Sequence, residues 1–134
     1  MKKDIEQQEV EGVLIGIVPS SNDQGQRIWG VNIVNTKNVP IENVIVNASG
    51  QGIGKNKEEK TAMARYFLDV VPAYSAKQFE ILMQDTLHIQ HKFWVSYYED
   101  RTIFDKKFIV EPGMISEDEL VMVPVIDFPG IVIE

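Results

Sequence analysis

The sequence predicts an all-β protein, a single β-sandwich of about seven strands with at most one short helical turn. Three observations predict it. Short β-prone runs recur at intervals of roughly ten residues, and clusters of Gly, Pro, Asn, Asp and Ser separate them. Within most runs the apolar residues alternate, as on a strand with one face in a core. The chain has 134 residues, enough for one domain that buries roughly two-thirds of its unfolded surface without disulfide or metal support.

The first run, Gly12 to Val18, is apolar on both alternating faces and reads as a buried strand. Pro19 to Gln26 is turn-rich, and Arg27 to Asn35 returns with Trp29, Val31 and Ile33 on one face, so the two runs form a hairpin with Trp29 in the core. After a turn at Asn35 to Pro40, the run Ile41 to Ser49 alternates through Val44, Val46 and Ala48. Gly50 to Lys60 is glycine-rich and then charged, which predicts an exposed, mobile loop.

Thr61 to Val71 carries both signals. Ala62, Met63, Ala64, Arg65 and Leu68 suit a helix, whereas Tyr66, Phe67, Val70 and Val71 suit a strand. The strand reading is preferred because the neighbouring runs are strands. A turn at Pro72 to Lys77 leads into Gln78 to Met83, where Phe79, Ile81 and Met83 alternate. Lys92 to Tyr98 is the strongest strand, and Thr102 to Val110 is its hairpin partner across a charged turn at Glu99 to Arg101. Ser116 and Glu119 have the spacing of a capping box, hence the single helical turn. The runs Leu120 to Ile126 and Gly130 to Glu134 are β-prone, but Pro124 and Pro129 restrict them to edge strands or extended coil.

Charge and composition exclude several classes. There are 20 acids against 13 bases, and five of the acids but none of the bases lie between Pro112 and Glu134. The body is therefore nearly neutral and the C-terminal segment acidic and extended, a poor match to nucleic-acid phosphates. No cysteine is present, which removes thiol chemistry, iron–sulfur clusters and disulfides. The N-terminus lacks an apolar signal-peptide core and no apolar run reaches membrane-span length, so a cytoplasmic protein with no membrane partner is expected.

Candidate chemistry is sparse. Gly50, Gly52, Gly54 and Lys55 suggest a ligand loop, because glycine backbones can cradle anions. The spacing fits neither the phosphate-loop nor the dinucleotide pattern, and a plain connector is the simpler reading. Asp85, His88 and His91 have metal-like spacing only if helical; on a strand the two histidines face opposite ways. No serine lies in a nucleophile-elbow pattern, and the adjacent carboxylates all fall in turns. The expectation leans away from an enzyme, with no catalytic, cofactor or metal residues assigned. Trp94 and Tyr98 share one face of the aromatic strand. They form a binding patch if that face is open, or part of the core if both faces are covered, the commoner fate of aromatics.

The segments WGVNIVN, PIENVIVNASGQG, FWVSYYEDRTIFDKKF and PVIDFPGIVIE resemble a short family of uncharacterised bacterial proteins from Bacteroidetes. The resemblance spans nearly the whole chain and implies a stand-alone protein without assigned chemistry. The Trp-led strand, Asn-rich turn and following P-I-x-N-V-x-V strand are similar to immunoglobulin-like domains. The functional expectation is a non-catalytic binding or assembly module. It would act through a sheet face at Trp94 and Tyr98, or an edge strand at Ile131 and Ile133, on a protein partner or a second copy in a homodimer. The alternative is a small ligand-binding protein or enzyme using the Gly50 to Lys55 loop.

Overall fold

Alternating burial along each run closes two antiparallel sheets over one core in the computed structural model, which describes residues 9–134. The reading made for residues 1–8 lies outside these. Nine strands follow in order: β1 (Val13–Ser21), β2 (Arg27–Asn35), β3 (Ile41–Gln51), β4 (Ala64–Val71), β5 (Ser75–Met83), β6 (Gln90–Glu99), β7 (Thr102–Val110), β8 (Val121–Val123) and β9 (Phe128–Ile133). One sheet has the order β5-β2-β1-β9-β8 and the other β4-β3-β6-β7. Strands β1, β2 and β5 against β3, β6 and β7 reproduce the A, B, E and C, F, G layout of an immunoglobulin-like sandwich, with β4 added beside β3. Residues 61–71, ambiguous in sequence, supply β4 from Ala64 onward.

The core lies between the sheets. Ile15, Ile17, Trp29, Val31 and Ile33 face Val44, Val46, Phe93, Val95 and Phe108, all essentially without solvent exposure. Trp29 satisfies its indole by donating from Nε1 to Gln84 Oε1 at 3.0 Å, as a buried tryptophan must.

The C-terminal segment bears out one reading and corrects another. Of edge strand or extended coil, the first holds for β8, which ends the five-stranded sheet, whereas β9 is an inner strand that pairs with β1 on one side and β8 on the other. The β1–β9 ladder runs only from Ile15–Ile133 to Ile17–Ile131. Continuing that register would set Pro19 against Pro129, and neither can donate, so the prolines end the ladder rather than exclude the strand. Ile131 and Ile133 are consequently core residues, each 8% exposed, and present no free edge. On the outer side of the same sheet, Val123 covers Gly16 and Val34, and Val34 and Val123 are fully buried. Arg27 pins the acidic stretch, donating to Glu117 from Nε at 2.7 Å and from Nη2 at 3.1 Å.

Two further corrections are local. The described residues contain three 3-10 turns, not one, at Gly54–Asn56, Gln84–Thr86 and Glu117–Glu119. Ser116 does cap the last, accepting from the Asp118 amide at 3.1 Å. In β5 the simple alternation breaks, because the register against β2 shifts between Val31 and Asn32. Phe79 is the extra residue of this bulge. Leu82 and Glu80 therefore share the inward side, while Ile81 and Met83 turn outward.

Candidate functional site

The period of two puts alternate residues of β3, β4, β6 and β7 on the outer face of the four-stranded sheet. On β6, His91, Phe93, Val95 and Tyr97 are buried, so Lys92, Trp94, Ser96 and Tyr98 must face out. The cross-strand register arranges the outer residues in rows. Arg65, Asn47, Trp94 and Lys107 form one row, and Phe67, Ile45, Ser96 and Asp105 the next. Lys92 beside Ile109 lies beyond the first row; Tyr98, between Glu42 and Ile103, lies beyond the second.

This geometry decides between the two readings of the aromatic strand. Trp94 is 42% and Tyr98 39% exposed, so the outer face is open. Phe67 and Ile103 are also exposed, Phe67 at 71%. Phe67 and Ile103 were not singled out from sequence, because alternation separates two faces without saying which is covered. The aromatic ring of Trp94 is held by a cation, with Lys107 Nζ 4.6 Å from its centroid, a contact of the ammonium with the negative ring face. Arg65 is steered across the sheet, donating from Nε to Asn47 Oδ1 at 2.9 Å.

The face is shaped as well as apolar. Strand β3 bulges between Ile41 and Val44 and again between Val44 and Ile45. Asn43 (φ 51) and Asp69 (φ 62) take up the left-handed conformation that this requires, one that short polar side chains tolerate. The result is a hollow of about 400 Å³ beside Phe67, lined by Asn43, Val44, Ile45, Phe67 and Asp69. Charge is graded along the strands: Lys92, Arg65 and Lys107 lie toward one end, and Asp105 and Glu42 toward the other.

The glycine loop takes another role. The Gly50 amide donates to Thr61 Oγ1 at 2.7 Å, and the Gly52 amide to the Glu59 carbonyl, also at 2.7 Å. Gln51 Nε2 donates to the Lys57 carbonyl at 2.9 Å. The amides of Gly50 and Gly52 are thus spent inside the loop, which is exposed but tied to itself. A Cβ on Gly50 would lie 2.8 Å from Ile89 Cδ1 and 3.3 Å from His91 Nδ1, so this glycine makes room for a buried histidine. Gly54 (φ 61) turns the chain in open space, and Lys55 is exposed. His88 and His91 do not converge. His88 Nε2 lies 2.9 Å from Glu59 Oε2, outside β6, whereas His91 is buried within β6 and donates from Nε2 to the Thr86 carbonyl at 2.7 Å.

No helix among the described residues is long and apolar enough to cross a membrane. Compared with protein families, curated proteins and solved structures, the chain matches none.

Proposed function

We propose that the protein is a non-catalytic binding and assembly module, that its working surface is the outer face of the four-stranded sheet, and that the occupant of this face is a second copy of the chain. The observation that carries this reading is the self-complementary pattern on one exposed face: cations at one end and acids at the other, around the exposed Phe67, Trp94, Tyr98 and Ile103. A two-fold axis lying in the contact plane and running across the strands reverses the rows. It sets Lys107 of one copy over Asp105 of the other, Lys92 toward Glu42, and Phe67 over the partner's Arg65, the isologous contact that a homodimer requires.

The size of the face sets the strength. Four strands spaced by about 4.8 Å, each with about nine residues rising about 3.4 Å, present roughly 500–600 Å² per copy. That is below the ~800 Å² per partner of a standard stable interface. A weak dimer follows, with a Kd of roughly 10–100 μM, or about −5.5 to −7 kcal/mol.

The test is charge exchange read by sedimentation velocity. Lys107→Asp sets two acids face to face and should weaken the dimer at least tenfold. Asp105→Lys combined with Lys107→Asp restores opposite signs across the axis and should recover it. A double variant no better than the single one overturns this mode of association. The ligand-loop alternative is less well supported, because the Gly50 and Gly52 amides are already engaged.

A further inference from the structure

The open side of the sandwich, where edge strands β4 and β5 approach from opposite sheets, carries polar chemistry that the sheet face does not use. Two polar contacts among the described residues bridge this seam. Lys77 Nζ donates to the carbonyls of Leu68 at 2.7 Å and Val70 at 3.0 Å, closing the free edge of β4. Further along, the Tyr66 hydroxyl donates to Glu80 Oε1 at 3.0 Å. Beyond Tyr66 the sheets part into a cleft of about 240 Å³, floored by Ala48, Ala64 and Leu82 and walled by Met83, with Glu80 and His91 among its polar lining. The space corresponds to about eight water molecules at the volume each takes in the liquid. A second concavity shares Tyr66, Glu80 and Ile81, so the carboxylate stands where two hollows meet.

Most polar groups of the cleft are already committed to one another or to backbone, Ser49 apart. The Tyr66 proton is committed to Glu80. The Thr86 hydroxyl donates to the Met83 carbonyl at 2.8 Å. Thr61 Oγ1 already accepts from Gly50 and donates to the Ala62 carbonyl at 3.2 Å. His91 Nε2 faces a carbonyl, which only accepts, so that nitrogen carries a proton and is committed to Thr86. Among the described residues no lysine or arginine lines the cleft, and the seam cation Lys77 is held by β4 carbonyls. A partly buried carboxylate whose only positive neighbour is an imidazole is costly, as the upward displacement of the Glu80 carboxyl by burial indicates, against the opposing pull of the Tyr66 hydrogen bond and the His91 charge.

We infer that this cleft is a binding site for a small aliphatic ammonium compound, its charged nitrogen on the Glu80 carboxylate and its short apolar body against Ala48, Ala64, Leu82 and Met83. An ammonium supplies three donors and a full positive charge, which no lysine or arginine among the described lining residues provides. The apolar walls admit a chain of a few carbons. The site lies on the seam rather than on the outer face, so the inference stands independently of self-association.

The experiment is a ¹H–¹⁵N correlation titration of the full chain with n-butylammonium, with n-butanol and butyrate as isosteric neutral and anionic controls. Saturable shifts confined to residues of the cleft, such as Ala64, Leu82 and His91, with n-butylammonium at least tenfold tighter than either control, are the expected result. Glu80→Gln keeps an acceptor for Tyr66 and should weaken n-butylammonium at least tenfold. Ala62→Trp, at the cleft wall, should block the site while leaving Glu80 intact. Shifts that do not saturate, n-butanol binding as tightly as n-butylammonium, or a Glu80→Gln chain that binds unchanged would each overturn the assignment. A titration that succeeds in a monomeric chain would leave the ammonium site standing and the dimer reading refuted, so the two fail separately.

Discussion

Replacing Tyr97 with Phe should stabilise the fold without touching the proposed face. Tyr97 is on β6, 1% exposed, and its ring stacks on Phe104 with centroids 5.2 Å apart and planes 11° from parallel. Its hydroxyl is buried without a hydrogen-bond partner among the described residues. Leaving such a group unsatisfied costs about 1–3 kcal/mol, whereas the ring contacts survive the change to Phe. We expect Tyr97→Phe to gain about 1 kcal/mol at neutral pH. The same burial, with the Glu99 charge as a second cause, pushes the phenol up to about 12 from 10.0. The folded chain therefore keeps a proton that the unfolded chain releases. Ionisation of this group leaves the parent's stability unchanged below about pH 10.0 and lowers it as the pH rises from there toward 12. The loss has a ceiling of about 2.7 kcal/mol for two pH units, and roughly 1–2 kcal/mol after solvent screening. Urea unfolding of parent and variant across this range measures both effects, with the slope m unchanged. A variant less stable than the parent at neutral pH, or one with the same alkaline decline, would show that the hydroxyl is satisfied and would refute the reasoning.

Three other substitutions probe separate parts of the fold. Glu80→Gln should raise stability at neutral pH by no more than about 1 kcal/mol, because burial holds this carboxyl above its usual 4.5. The sign follows from linkage: the unfolded chain gives up its proton first as pH rises, so the parent loses stability through that window and the variant's advantage should vanish below 4.5 in acid titrations of unfolding. Gly130→Ala should cost about 2–3 kcal/mol in denaturant unfolding, since its Cβ would fall 2.5 Å from the Ile17 carbonyl oxygen and force β9 off β1. Val125→Gly should gain up to about 1 kcal/mol in thermal unfolding, because a β-branched residue at φ 72 in the turn before β9 carries strain that glycine does not, partly offset by the freer unfolded chain.

The fold was largely legible because most strands cover only one face. Trp29, Val31 and Ile33 on β2 and Val44, Val46 and Ala48 on β3 alternate as a half-buried strand should, and all six are buried. What escaped had local physical causes. The prolines at 124 and 129 point to edge strands or coil, yet Pro129 lies beyond the last β1 pair, where no donor is needed, and β9 takes an inner place in the sheet. The bulge at Phe79 inserts one residue and inverts the faces of β5, so Glu80 reads as exposed in sequence and lies inward in space. The aromatic strand was legible only in part: Phe93, Trp94, Tyr97 and Tyr98 are apolar on both faces, and alternation alone does not say which sheet face carries the core. Phe67 came from a segment whose helix and strand signals compete, so its place beside Ile45 on an open face depends on pairing with β3.

The central claim is that the outer face of the four-stranded sheet binds a second copy, and sedimentation equilibrium of the full chain beside Phe67→Asp tests it most directly. Phe67 is largely exposed in one copy, so the substitution should leave unfolding free energy nearly unchanged. Loss of a buried Phe at a contact is worth about 1.5–3 kcal/mol, or at least a tenfold weaker dimer. The account predicts a parent that passes from monomer to dimer between micromolar and submillimolar concentration, and a folded variant that stays monomeric throughout. A parent that remains monomeric at submillimolar concentration, or a variant that dimerises as the parent does, would contradict it.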